Sequence, residues 1–383
     1  MTRLSSFADV QRSAIREMLE RALARPDTIR LELGDPDFTT PPHIVEAALR
    51  AASEGFTHYT PSVGLPSLRE AVADRVRSAN GFACGPDEVV VTTGACGGLY
   101  ALLRVLADPG DEVLVPDPGW TGYASIAAFV GASARGYALD RDSGFGLDVA
   151  AVERALTPHT RAIVVNSPSN PTGSVERREA LAALVELATE HDCWLVSDEA
   201  YESFVFDGAH VSAAACADGP VISVFTCSKT YAMTGWRVGY LVAPREVAAS
   251  AARAQEAVVS SVSSVSQKAA EAALTGPQEA VDEMRAAYRR RLELATSLLD
   301  ELQVPYVRPA GAFYLLVDVA AAGVDSRTFA LALLDEHGVA VVPGSAFGAG
   351  AEGLVRVSLC VAEDAISEGL QRLGSALATR VAA

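Results

Sequence analysis

Several absences narrow the function of this chain before any motif is read. No uninterrupted apolar run approaches the length of a membrane span. The first residues, Met1 to Leu23, are broken by Arg3, Asp9, Arg12, Arg16, Glu17, Glu20 and Arg21, so they do not read as a signal peptide. Cations are outnumbered, 31 Lys plus Arg against 48 Asp plus Glu. The net charge of −17 argues against a nucleic-acid or anionic-membrane surface, which would need clustered Lys and Arg. Cys84, Cys96, Cys193, Cys216, Cys227 and Cys360 are scattered, with no CxxC pair and no histidine at metal-ligand spacing. They read as reduced thiols of a cytoplasmic protein without a metal centre. His43, His58, His159, His191, His210 and His337 form no cluster in the sequence, and each reads as structural. Repeats, low-complexity linkers and charge blocks are also missing.

Apolar residues, by contrast, make up 50% of the 383 positions, enough for a sizeable core. That length predicts two domains, or one large domain with an appendage. The segment up to Ala24 reads as an amphipathic helix. Ile29 to Leu33 alternates apolar and charged residues like a short strand. It runs into Gly34-Asp35-Pro36-Asp37-Phe38, either a simple turn or a close backbone approach to a ligand. From Glu88 onward, near-continuous apolar strands alternate with helices. The strands are Val89 to Val91, Glu112 to Val115, Ala162 to Val165, Trp194 to Ser197, Val221 to Phe225 and Val238 to Val242. This pattern predicts a mostly parallel sheet covered on both faces, with ligands at the carboxyl ends of its strands. After Pro244 two long helices are expected, and Arg289-Arg290-Arg291 reads as a solvated face of the second. The tail mixes strands and helices as a smaller α+β unit. Gly348 to Gly353 matches GxGxxG but precedes a strand, so it fails as a dinucleotide fingerprint.

The stretch with most chemistry follows the strand Val221 to Phe225: Thr226, Ser228 and Lys229, then Arg237 eight residues beyond the lysine. A lysine at a strand end can form an imine with a carbonyl, while hydroxyls and a guanidinium can hold a phosphate. Three other loops follow strands. Gly94-Ala95-Cys96 opens a helix and is either an anion site or a tight turn. Asn170 lies in a Pro- and Gly-rich turn from which it can donate a hydrogen bond. Asp198 is either a loop carboxylate or a buried one that needs a cationic partner such as a pyridinium.

Taken in this order, the motifs resemble those of the class I aminotransferases, pyridoxal 5′-phosphate (PLP) enzymes of fold type I, over nearly the whole chain. The resemblance implies an α/β fold with a mostly parallel central sheet sandwiched by helices, and a smaller α+β domain made of both termini. Residues 1–45 would join the small domain, 46–280 would form the PLP-binding domain, and 281–383 the C-terminal part. It implies that Lys229 forms the imine with PLP and moves the proton at Cα. Asp198 would hold the pyridine nitrogen, Tyr201 and Asn170 the phenolic oxygen, and Trp120 would stack on the ring. The phosphate would meet the N–H groups of Ala95 and Cys96, the hydroxyls of Thr226 and Ser228, and Arg237. Tyr59 would reach the phosphate of a neighbouring subunit, which implies a homodimer. Arg356 would clamp the substrate carboxylate, assisted by the backbone of Gly34.

The implied function is amino-group transfer between an amino acid and a 2-oxo acid by a ping-pong route. A β-eliminating C–S lyase and a non-catalytic PLP-binding sensor are the rival expectations. Relatives that prefer aspartate carry a lysine where this chain has Cys96. Without that cation a second carboxylate would be costly to bury, so a neutral or aromatic donor is expected. An arginine from the N-terminal loop, Arg3 or Arg12, is the alternative source of that charge.

Overall fold

The structure, a computed structural model, describes residues 14–381. Its strands are β1 (Ile29–Arg30), β2 (Val89–Thr92), β3 (Glu112–Asp117), β4 (Ser133–Ala138), β5 (Thr160–Asn166), β6 (Trp194–Asp198) and β7 (Val221–Thr226). They continue with β8 (Gly239–Val242), β9 (Tyr306–Val307), β10 (Tyr314–Asp318), β11 (Val339–Ala340), β12 (Val342–Pro343) and β13 (Leu354–Ser358). Seven of them form one sheet in the order β2-β8-β7-β6-β5-β3-β4. Every neighbouring pair from β7 to β4 is parallel, whereas β8 is antiparallel to both β7 and β2. Two reversals cancel, so β2 points the same way as β7. The carboxyl ends of β2, β5, β6 and β7 therefore share one edge, which is where the site forms.

Alternation along the strands explains the layers. Val164, Val196 and Val224 pack with Leu99, Leu102 and Ala251 on one face. Their neighbours Ile163, Val165 and Leu195 pack with Leu181, Leu184 and Ala188 on the other. The fold is thus α/β with a mostly parallel sheet between helices. β4 has no counterpart in the apolar pattern, because Ser-Ala-Arg-Gly-Tyr-Ala is an edge strand with only Tyr137 buried.

A second, antiparallel sheet has the order β12-β13-β10-β9, and β1 pairs in parallel with β11. This pairing brings residues before the large sheet onto the C-terminal part of the chain. Three helices follow Pro244, not two: Arg245–Val259, Ser264–Thr275 and Glu279–Glu301. The break comes at Ser260, whose left-handed φ of +59° a helix cannot continue. The arginine run also departs from expectation. Arg289 and Arg290 are exposed, but Arg291 is buried. Its two Nη atoms each donate to Asp37 at 2.7 Å, and Nη1 also donates to the Leu359 carbonyl at 3.0 Å. An arginine on the inner stripe of a helix is tolerated when its charge is paired in this way.

Candidate active site

A cleft of about 730 Å³ opens at the shared carboxyl edge. Every residue given a cofactor or substrate role from the sequence lines it except Tyr59, which is 88% exposed and lies outside.

One end of the cleft is built from backbone. Gly94 opens the helix Gly94–Leu106 with φ +77°, which a side-chain-bearing residue adopts only at a cost. A Cβ on Gly94 would sit 3.1 Å from Arg237 Nη2, so the guanidinium closes over a helix N-terminus. Arg237 is itself left-handed, φ +53°, and is held by bonds from Nη1 to the Thr234 carbonyl at 2.7 Å and from Nη2 to the Thr93 carbonyl at 3.3 Å. Thr226 caps the single turn Cys227–Thr230: its hydroxyl accepts from the Ser228 N–H at 3.2 Å and donates to Ser228 Oγ at 2.9 Å. Helix N–H groups, two hydroxyls and an arginine make an anion cradle.

Lys229, on the same turn, donates from Nζ to the Gly34 carbonyl at 2.6 Å. Burial pushes its ammonium below the usual lysine range, which favours the neutral, nucleophilic amine. Gly34 approaches so closely that a Cβ there would lie 1.8 Å from the Tyr314 hydroxyl.

Asp198 ends β6 and is 5% exposed. Its Oδ2 accepts from the Tyr123 hydroxyl at 2.6 Å and its Oδ1 from the Ala200 N–H at 3.2 Å. Burial pushes its carboxyl up to about 6, against the opposing pull of these two bonds. Among the described residues no cation pairs with it. A protonated ring nitrogen would supply the missing charge, so Asp198 fits a pyridinium and the opposite end fits a phosphate. Tyr201 stands beside it, its hydroxyl 3.0 Å from that of Tyr314. Burial raises the Tyr201 phenol well above its ordinary value.

Arg356, on β13, is 1% exposed. Nη1 donates to Asn170 Oδ1 at 3.0 Å and Nη2 to the Glu32 carbonyl, while Nε is buried without a partner. Its guanidinium carbon lies 4.3 Å from the Tyr314 ring centroid and 5.0 Å from that of Phe347. The stacking follows from register: Tyr314 pairs with Ser358, two residues from Arg356 and on the same face. Asn170 is in turn fixed by its N–H donating to Asn166 Oδ1 at 2.8 Å.

Tyr123, Tyr314 and Arg16 also line the cleft; the sequence points to Tyr123 only as an apolar neighbour of Trp120, and gives Tyr314 and Arg16 no role there. Tyr123 is within reach of a sequence argument, since it lies three residues after Trp120, and the two rings meet edge to face at 5.2 Å. Tyr314 and Arg16 carry no local signal. Arg3 and Arg12 lie outside the described residues. His210 is not isolated as its spacing suggests, because folding gathers it with Glu199 and Glu202, their ligand atoms within 4.8 Å of one another. His210 Nε2 lies 2.8 Å from Glu199 Oε2, and Arg75 lies 3.9 Å from Glu202. The two glutamates hold the imidazole charge above its usual range against the effect of burial. A second cleft of about 730 Å³, between Gly81–Cys84 and Ala214–Gly219, collects no comparable chemistry.

A strand-end lysine between an anion cradle and an unpaired buried carboxylate defines a PLP enzyme of the α/β class. The chain belongs to the family described as aminotransferase class I and II, whose model matches residues 26–373. It is 42% identical over 354 residues to the aspartate/prephenate aminotransferase of Thermus thermophilus, covering 92% of this chain and 91% of the relative. It is 37% identical over 374 residues to aromatic-amino-acid aminotransferase 2 of Thermococcus litoralis, covering 96% of each. The solved structure of the Thermus thermophilus aspartate aminotransferase with maleate superposes with a TM-score of 0.94 at 41% identity, over 98% of this chain and 100% of that one. The protein is a PLP-dependent aminotransferase, and the relatives do not favour the lyase reading.

Proposed function

We propose that this chain is a cytoplasmic, homodimeric aminotransferase with a ping-pong mechanism, whose amino donor has a neutral or aromatic side chain. Residues 46–280 form the cofactor-binding domain, with 1–45 and 281–383 together making the smaller one. The observation that carries the reading is the convergence of Lys229, Asp198 and Arg356 on one cleft from three distant parts of the chain.

When bound, PLP withdraws electrons from the substrate Cα through its protonated ring. Asp198 keeps that ring charged, and Tyr123 keeps Asp198 ionised and oriented. Tyr201 and Asn170 would hydrogen-bond the phenolic oxygen, and Trp120 would cover the ring face. Ala95, Cys96, Thr226, Ser228 and Arg237 hold the phosphate. Lys229 would anchor the cofactor and, once the substrate amine has displaced it, would as a neutral amine take and return the proton at the substrate Cα. Arg356 and the backbone of Gly34 hold the α-carboxylate, a planar fork suiting that bidentate task.

The dimer reading rests on Tyr59 and its neighbourhood. Tyr59 is 88%, Val258 61% and Val259 37% exposed. A bond from the Thr60 N–H to Ser261 Oγ at 3.4 Å brings the two loops together. A second copy would bury this apolar patch and carry Tyr59 to its own phosphate site. No helix among the described residues is long and apolar enough to cross a membrane. The donor reading rests on Cys96 and on the apolar wall of Tyr100, Trp120, Ile126 and Phe129.

A panel of the common amino acids tests it, each mixed with loaded protein and followed by bleaching of the cofactor absorbance in one turnover. Phenylalanine, tyrosine or a neutral aliphatic should react fastest, and the amino group should pass to an added 2-oxo acid. A wide lead for aspartate and glutamate would refute the donor assignment. Ammonia released without an added oxo acid would refute transfer itself.

A further inference from the structure

The glycine run Gly348 to Gly353 fails as a dinucleotide fingerprint, yet the fold gives it a close partner. Gly348, Ala349 and Gly350 lie between β12 and β13, the strand that carries Arg356. They rest on Asp117, the last residue of β3, three positions before Trp120. The Gly350 N–H donates to Asp117 Oδ1 at 2.9 Å, and the Gly119 N–H donates to the Phe347 carbonyl at 2.8 Å. The approach is close enough to demand glycine. A Cβ on Gly348, whose φ is +129°, would lie 2.1 Å from Asp117 Oδ1, and one on Gly350 would lie 3.0 Å from the Asp117 carbonyl oxygen. The two bonds bracket Phe347, which is buried and whose ring centroid lies 5.0 Å from the Arg356 guanidinium carbon.

We propose that Asp117 is a positioning residue for the substrate clamp: through the turn at Gly348 to Gly350 it holds Phe347 on Arg356 and so sets how tightly that arginine grips a carboxylate. This rests on the reading of Arg356 given above and adds the residue that positions it. The two rings against Arg356 are fixed by different means. Tyr314 is held by the ladder between β10 and β13. Phe347 belongs to no strand; it ends the single turn Gly344–Phe347, so its place depends on what anchors its loop. One anchor is the helix Ser326–His337, where Ser326 Oγ accepts from the Ser345 N–H at 3.1 Å and donates to Glu352 at 3.0 Å. The other is Asp117, which ties the loop to the strand end that presents Trp120. A guanidinium walled by rings meets a carboxylate with little competing water, so the pair is stronger than an exposed one. If Phe347 lifts, water reaches Arg356 and the pair weakens, while the anion cradle at the other end of the cleft is left as it was.

The test joins two measurements on wild type, Asp117→Ala, Asp117→Asn and Gly348→Ala. The first is amide hydrogen exchange of the protein without cofactor. Residues 346–351 should exchange faster in Asp117→Ala and Gly348→Ala, and near the wild-type rate in Asp117→Asn, whose Oδ1 can still accept from Gly350. The second is calorimetric titration of PLP-loaded protein with 3-phenylpropanoate, a carboxylate that has no amino group. Its affinity should fall roughly 3- to 10-fold in Asp117→Ala and Gly348→Ala, the worth of one hydrogen bond. Asp117→Asn should recover most of that loss, and PLP affinity should hold in all three variants. Unchanged exchange in Asp117→Ala overturns the proposal. So does faster exchange with unchanged 3-phenylpropanoate affinity, or with acid and PLP affinities falling by the same factor, because the loop would then be structural and not a support for the clamp. A wild type that transfers no amino group in the donor panel would sink the aminotransferase reading alone, since the exchange is read without cofactor and the titration reads only binding.

Discussion

The two ends of the cleft are built differently. At the anion end, Gly94, Thr226, Ser228 and Arg237 are positioned by strand ends, a helix N-terminus and a left-handed arginine, all within short motifs. At the substrate end, Arg16, Tyr100, Phe129 and Arg356 are brought together by tertiary packing across two sheets and an N-terminal helix. Groups that must hold one invariant cofactor are fixed by backbone. Groups that discriminate among substrates are side chains on elements that can vary independently.

The sharpest way to break this comparison is at its centre. Lys229→Ala should lower turnover at least about 10²- to 10⁴-fold, the contribution of a positioned proton-transfer group. Borohydride should no longer fix PLP to the protein. The chain has only two lysines, Lys229 and Lys268, and Lys268 is tied to Glu271 at 2.7 Å, so peptide mapping has one competitor to exclude. Label on Lys268 in the wild type would undo the assignment.

Arg356→Ala probes the substrate end. Loss of a buried carboxylate partner costs about 2–5 kcal/mol, so kcat/KM should fall roughly 30- to several-thousand-fold. An amine substrate without a carboxylate should lose far less. Equal losses would make Arg356 a structural arginine that merely joins Asn170 to the Glu32 carbonyl.

The smallest effect concerns Asp198 and separates the cofactor end by pH. Its carboxyl, raised to about 6, is neutral below that value and must ionise to hold a charged ring. PLP affinity should therefore weaken as pH falls through about 6, and Asp198→Asn should remove that midpoint. The Tyr123 bond favours the ionised form, so Tyr123→Phe should move the midpoint upward. A midpoint that stays put in both variants would show that another group is being titrated.

Legibility in the sequence follows the same division. Buried strands such as Val89–Thr92 are visible because both faces are covered and no charged residue interrupts them. The motifs after β5, β6 and β7 can be placed because ligands gather at strand ends. β4 escapes because an exposed edge needs no apolar pattern. Arg291 defeats the pattern because helical spacing shows which face a residue occupies but not that Asp37, 254 positions away, will pair with it. Arg16 and Tyr314 are invisible for the same reason. The gathering of Glu199, Glu202 and His210 also depends on loop folding that no spacing rule encodes.

The bond from Arg356 to the Glu32 carbonyl joins residues 324 positions apart, and this has a consequence for how the protein is made. Synthesis proceeds at about 5–20 residues per second, so Glu32 is exposed for roughly 15–65 s before its partner has been assembled. During that interval β1 has no β11 to pair with, and the apolar residues around Leu31 have no C-terminal core to enter. The nascent chain can wind its large sheet early but cannot close its catalytic pocket until β13, the last described strand, is translated. Any ribosomal pause in the final third therefore prolongs a sticky intermediate that holds a nearly complete cofactor cradle and no substrate clamp.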